Sequence, residues 1–254
     1  MSIVNFQNPP LFEVFFNVGF DDVNFVSIHY GSYWETIKNR FPFVQDRRPV
    51  IEESEEEGEL VIELSSLPRV VFISVDNKTA IQLQGNFFSY NWKRRNQENY
   101  PNFENVYREF LSEWNHFNEW ASNAEIEEIK PSRYELTYIN FIQESSGWST
   151  ALDHSKVFTF FGGEYSTELG VPLFHDARLA FLLPNDMGVL DIEVDQRSFG
   201  KEQENFNFVL FKLTAKKINA DIGLREWFEL AHEHIIKIFL RLTKEEAKKR
   251  WGLS

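Results

Sequence analysis

One short segment combines aromatic and cationic side chains in a chain that is otherwise acidic. Tyr90 and Trp92 are followed directly by Lys93, Arg94 and Arg95. Because rings stack on bases and cations bind phosphates, this composition is typical of single-stranded nucleic-acid or nucleotide recognition. The same residue types dominate protein interfaces, so a protein contact is a second interpretation. The third is a strand-to-helix connection with its rings in the core and its cations solvated.

Two carboxylates occupy equivalent positions in two similar predicted strands. Glu13 and Glu135 each lie on the strand face opposite the main apolar stripe. A carboxylate pair can carry out acid–base catalysis or bind a hard cation. The spacing supplies no third ligand, and an ion pair with a cross-strand Arg or Lys is the simpler hypothesis. We therefore predict no metal site and assign no catalytic residue, but keep both glutamates as candidate binding residues.

The remaining residue types exclude several chemistries. His232 and His234 are two positions apart on a predicted helix, about 200° around its axis, so they cannot share a metal as an i, i+4 pair does. The chain has no Cys, which excludes disulfides, thiolate nucleophiles and Cys-ligated metals. The sequence also has no nucleophile elbow, phosphate loop or dinucleotide fingerprint. We predict no cofactor.

Charge and hydropathy restrict the partners. The formal net charge of −13 repels phosphate backbones, so we expect nucleic-acid binding only at the local patch from Lys93 to Arg95. The sequence has no apolar run of about 18 residues and no signal-peptide profile. We therefore expect a soluble, cytoplasmic protein that does not bind membranes.

Apolar periodicity predicts the elements that position these residues. Alternation predicts a strand over 11–20, with the buried stripe Phe12, Val14, Phe16, Val18 and Phe20. A second strand is predicted over 134–142, and 60–64 with 71–75 are expected to form a hairpin around Pro68. Helical spacing predicts one long helix after Pro101, capped by Asn102, and another that closes the chain. We assign no structure to 144–171.

Parts of the sequence recur. Five residues are matched by an identical or similar residue 122 positions later, and four others are matched 119 positions later. The first set is Pro9, Phe12, Glu13, Val14 and Phe16, matched by Pro131, Tyr134, Glu135, Leu136 and Tyr138. The second is Ile73, Val75, Asp76 and Lys78, matched by Ile192, Val194, Asp195 and Arg197. A long-period repeat of this kind indicates two copies of one supersecondary unit.

The predicted fold class is therefore α+β with internal duplication. We expect two tandem pseudo-symmetric units, each an antiparallel sheet with a long C-terminal helix packed on one face. The first unit is predicted over 1–125 and the second over 126–254, fused into one compact body. The other sheet face, or the groove between the units, would then be free to meet a partner.

Several short phrases resemble a known group of proteins when taken in order. They are Asn8-Pro9-Pro10 with Glu13, Gln82-Leu83-Gln84, Asn91-Trp92-Lys93, Tyr100-Pro101, Glu135 to Asn140, and Trp251-Gly252. Together they resemble a sporadically distributed prokaryotic protein family of about this length that has no assigned function. The resemblance implies no catalytic residues. The patchy occurrence of that family resembles the distribution of phage-defence and toxin–antitoxin components.

These observations favour a non-enzymatic binding or regulatory protein that contacts a protein partner, as an accessory component of a defence or toxin–antitoxin system. A homo-oligomer is compatible with this hypothesis. The first alternative is a small-molecule or nucleotide sensor with a pocket between sheet and helix. The second is an enzyme acting on nucleic acid.

Overall fold

The computed structural model describes residues 6–21, 23–50, 52–56, 59–63, 67–95, 100–162, 170, 172–199, 206–218 and 221–253. Its helices are α1 (Ser27–Ile37), α2 (Phe103–Asn123), α3 (His154–Val157), α4 (Leu224–Leu242) and α5 (Glu245–Arg250). Its strands are β1 (Leu11–Phe20), β2 (Phe43–Arg47), β3 (Glu52–Glu56), β4 (Glu59–Glu63), β5 (Arg69–Ile73), β6 (Thr79–Gln84), β7 (Phe87–Lys93), β8 (Pro131–Ile142), β9 (Ala177–Leu182), β10 (Val189–Phe199) and β11 (Phe206–Ile218).

One antiparallel sheet holds most of the strands. It has nine strands in the order β2-β5-β6-β7-β1-β8-β11-β10-β9. The strands β3 and β4 pair only with each other in the described structure, as a separate two-stranded sheet. The hairpin predicted between 60–64 and 71–75 is therefore wrong, because β5 pairs with β2 and β6 instead.

The prediction of two tandem sheet-plus-helix units is also wrong. The strands β1 and β8, predicted to belong to separate sheets, pair with each other along nearly their whole length at the centre of one sheet. The second sequence match fails as well, since Val75 is 67% exposed beyond β5 whereas its match Val194 is 1% exposed inside β10. Apolar alternation identifies a strand but does not encode its pairing partner. The domain division at 125/126 falls between α2 and β8 and stays a prediction.

The predicted buried stripe of β1 is wrong at its first residue, Phe12, because the strand contains a β-bulge there. The β1–β8 register shifts between Leu11 and Glu13, so the chain has one extra residue there. A bulge of this kind turns the neighbouring side chain to the other face of the sheet. Leu11 consequently enters the core, and the Phe12 ring contacts Phe141 on the opposite face.

The helices contact one face of the sheet. The ring of Phe16 lies 5.0 Å from Phe110 of α2 and 5.3 Å from Phe228 of α4. On the same side, Tyr33 of α1 contacts Phe72 of β5. Burying each such ring contributes roughly 1.5 to 3 kcal/mol. These rings therefore fill the layer between sheet and helices.

Several local predictions are confirmed. The side chain of Asn102 accepts a hydrogen bond of 2.9 Å from the Asn105 N–H and caps α2. Both long helices lie where apolar spacing places them. The unassigned segment 144–171 contains two short 3₁₀ turns and α3, and Phe158 at its end forms a bridge with Thr243.

Candidate functional site

The face of the sheet opposite the helices carries the candidate residues. On β1 this face bears Phe12, Glu13, Phe15 and Asn17, because Val14 and Phe16 point toward the helices. Rings of α1, α2 and α4 contact the sheet on the Phe16 side, as does Phe158 at the end of α3. We call the opposite side the helix-free face.

Glu13 is held in a hydrogen-bonded group on this face. Its carboxylate accepts a hydrogen bond of 2.8 Å from Asn91 Nδ2 and lies 3.8 Å from Lys93 Nζ. Its side chain is only 13% exposed. Burial raises the pKa of Glu13, although Lys93, Asn91 and Arg95 act in the opposite direction. Of the cross-strand cations predicted for the two glutamates, the one at Glu13 is therefore present.

Glu135 belongs to a different group on the same face. Its Oε1 atom accepts hydrogen bonds from Asn17 Nδ2 at 2.9 Å and Thr137 Oγ1 at 3.1 Å. Thr137 also hydrogen-bonds the hydroxyl of Thr214 on β11. These contacts fix the carboxylate through neutral groups.

The structure does not bring the two glutamates together. Glu135 lies opposite Asn17, four positions along β1 from Glu13, which corresponds to about 14 Å at about 3.4 Å per residue. Paired carboxylates in glycosidases are roughly 5 to 9.5 Å apart. Glu13 and Glu135 are therefore two separate polar groups rather than an acid–base pair.

Four phenylalanine rings form a cluster on the helix-free face, which we call the aromatic patch. Its members lie on β1, β8 and β11: Phe12, Phe141, Phe206 and Phe208. Phe141 stacks on Phe208 at 4.7 Å and lies 5.7 Å from Phe12 and 6.0 Å from Phe206. Phe206 is 45% exposed and the other three are partly buried. The patch therefore forms an apolar surface on the helix-free face.

Charged side chains surround the aromatic patch and are already paired. Lys93 Nζ, paired with Glu13, also lies 4.8 Å from the Phe12 ring centre. Lys212 lies 3.5 Å from Glu193, and Arg197 pairs with Asp195. In the described part of the chain, these three cations each hold a carboxylate.

The other residues of the predicted aromatic–cationic segment point in different directions. Tyr90 and Trp92 face the helices and are 2% and 5% exposed. Arg94 donates to the Pro9 carbonyl oxygen at 2.8 Å, and Arg95 donates to that of Asn77 at 2.7 Å. Of the side chains in this segment, that of Lys93 contacts a ring of the aromatic patch.

His232 contacts neither glutamate and instead lies in the layer between sheet and helices. His232 Nδ1 lies 2.8 Å from the hydroxyl of Tyr138, and its ring stacks on Phe103 at 4.2 Å. Burial lowers the pKa of His232 to about 4. Among the described residues, no group of three or more His, Asp or Glu is arranged to hold a metal ion.

Sequence reasoning missed the aromatic patch. Phe206 and Phe208 have the period-two spacing of a single strand face, but Val209 and Phe211 give the other face an equally apolar pattern. Only the register of β11 against β8 shows that Phe208 joins Phe141 and that Phe211 enters the core. The bulge at Phe12 left no sequence signal either.

Comparison with protein-family models finds none that matches this sequence, and comparison with curated proteins finds no significant relative. The family resemblance therefore stays a prediction.

Neither long helix, nor any other helix in the described ranges, has an apolar run suited to crossing a bilayer.

Proposed function

We propose that this chain is a non-enzymatic binding protein that docks a protein partner on the helix-free face of its sheet. The observation that carries the proposal is the aromatic patch. Exposed apolar clusters rimmed by polar residues mark interaction sites, and large aromatic side chains are frequent anchors there. The patch spans three adjacent central strands, which hold its rings rigidly.

The charges around the patch favour a protein over a nucleic acid. A phosphate backbone is bound by cations that release counterions. Lys93, Lys212 and Arg197 each pair with a carboxylate, so a phosphate would have to displace one. An apolar protein surface with a polar rim needs no such exchange.

The alternative functions have less support. An enzyme that uses Glu13 and Glu135 together would need them closer than about 14 Å. A sensor pocket between sheet and helices would have to form where the rings of Phe16, Phe110 and Phe228 are packed against one another.

A comparative affinity purification tests the proposal. The wild-type chain, the double variant F206S/F208S and the control variant I28S would be used as baits in the native host. Ile28 is 74% exposed on α1, in the helix layer, so its variant removes an exposed apolar side chain from the other side of the molecule. Quantitative mass spectrometry should show a protein retained by wild type and I28S and lost with F206S/F208S.

The purification has a defined contrary result. If every protein retained by wild type is retained equally by F206S/F208S, or if none is specifically retained, the proposed docking surface is wrong. Circular dichroism of both variants establishes that they are folded. Truncating an interface anchor typically costs about 2 kcal/mol or more, which corresponds to roughly 30-fold in affinity.

A further inference from the structure

Two arginines face each other at the β2 side of the sheet. Arg47 of β2 lies directly opposite Arg69 of β5 in an antiparallel register. Arg69 lies on the helix-free face, since its neighbour Val70 is buried toward the helices. Directly opposed residues in antiparallel strands share a face. The two guanidinium groups therefore lie on the helix-free face, at a distance from the aromatic patch.

The hydrogen-bond partners of these arginines are neutral. Arg47 Nη2 donates to Gln45 Oε1 at 2.6 Å, and Arg69 Nη1 donates to Gln82 Oε1 at 3.2 Å. Gln82 Nε2 in turn donates to Asn91 at 3.3 Å. These amide contacts orient the cations without neutralising them.

Two observations favour an anion as the ligand of this pair. Among the described residues, neither guanidinium of this opposed pair contacts a carboxylate. In addition, the Nε atom of Arg69 is buried and has no hydrogen-bond partner. Directly opposed like charges destabilise a sheet, and an unsatisfied buried donor on a charged group costs more than a neutral one.

We propose that Arg47 and Arg69 form an oxyanion-binding site that takes a phosphate or carboxylate group. Planar guanidinium groups bind such groups through paired N–H donors. The amides of Gln45 and Gln82 hold the two guanidiniums in place, so the site is preorganised. The site does not depend on the aromatic patch, and its test is independent of the proposed protein docking.

Thermal unfolding with inorganic phosphate as the probe tests the site. The wild-type chain is compared in sodium phosphate and in sodium chloride at equal ionic strength and pH, alongside R47Q, R69Q and the control R197Q. Phosphate stabilises folded proteins generally by exclusion from their surface, so the signal is the difference between variants. We expect wild type and R197Q to gain about 3 °C more in phosphate than R47Q and R69Q do. Sodium acetate forms the second arm and distinguishes a carboxylate from a phosphate ligand.

The outcomes are distinct. A variant-dependent gain in either anion supports the site and identifies the ligand class. Equal gains in wild type, R47Q and R69Q for both anions would overturn it. In chloride alone, R69Q should unfold at or above the wild-type temperature, because the substitution removes like-charge repulsion. A marked loss of stability in chloride would show that Arg69 is already compensated and would contradict the proposal.

Discussion

The ring of Phe208 on β11 stacks on the ring of Phe141 on β8, with 4.7 Å between their centres. This contact lies on the helix-free face, while Phe211, three positions further along β11, points into the core. Phe208 and Phe211 of β11 therefore serve different surfaces. The proposed function depends on this division.

A pair of alanine variants tests the division directly. Phe211 is fully buried, so F211A should lower the free energy of unfolding by about 3 to 5 kcal/mol. F208A removes a partly exposed ring and should cost about 1 kcal/mol or less. Urea unfolding monitored by circular dichroism measures both. Equal losses would mean that both rings are in the core.

Because of the bulge in β1, we expect truncation of Leu11 to destabilise the fold more than truncation of its larger neighbour Phe12. Leu11 takes the buried position and Phe12 lies beside Lys93 on the helix-free face. L11A should therefore destabilise the protein by about 2 to 3 kcal/mol, and F12A by about 1 kcal/mol or less despite its larger ring. Chemical denaturation of the two variants gives the comparison. The reverse order would place Phe12 in the core and remove the bulge.

Glu13 predicts a pH dependence of stability with a definite sign. Burial raises its pKa above the ordinary value of 4.5, so the folded state binds its proton more tightly than the unfolded state does. Stability from this group is present below the unfolded pKa and is lost as pH rises through the folded pKa. The variant E13Q should therefore gain stability relative to wild type between pH 4 and pH 7, measured by urea unfolding at both values. A relative loss over this range would show that Lys93 outweighs burial.

His232 predicts a pH dependence of stability with the opposite sign. Burial lowers its pKa from 6.5 to about 4, so the unfolded state binds the proton more readily. Stability from this group is complete above pH 6.5 and is lost as pH falls toward 4, in total by about 3 kcal/mol. In H232Q, which retains a side-chain acceptor for Tyr138, this acid-side loss should shrink. Unfolding curves at pH 7 and pH 4.5 measure it, and an unchanged slope would assign the loss to other groups.

Local elements were predictable from the sequence, but their assembly was not. The Asn102 cap and the apolar stripes of α2 and α4 are encoded by neighbouring residues. The pairing of β1 with β8 joins residues more than 110 positions apart, and alternation carries no information about partners. The apparent match of Val75 with Val194 reflects the alternation that all half-buried strands share.

The candidate site was predictable only in part. Glu13 and Lys93 are both notable in the sequence, and they form an ion pair. The aromatic patch was hidden because both faces of β11 are apolar, and because the bulge reverses Phe12. Arg47 and Arg69 carry no sequence signal, since their opposition arises from the β2–β5 register.

Site-specific photocrosslinking in the native host tests whether the helix-free face binds a protein. A photoreactive phenylalanine analogue would replace Phe208 in the aromatic patch or, as the matched control, Ile28 on α1. We expect a covalent adduct with a protein partner at position 208 and none of that mass at position 28. Absence of any adduct at position 208, or the same adducts at both positions, would contradict the claim that the helix-free face binds a protein.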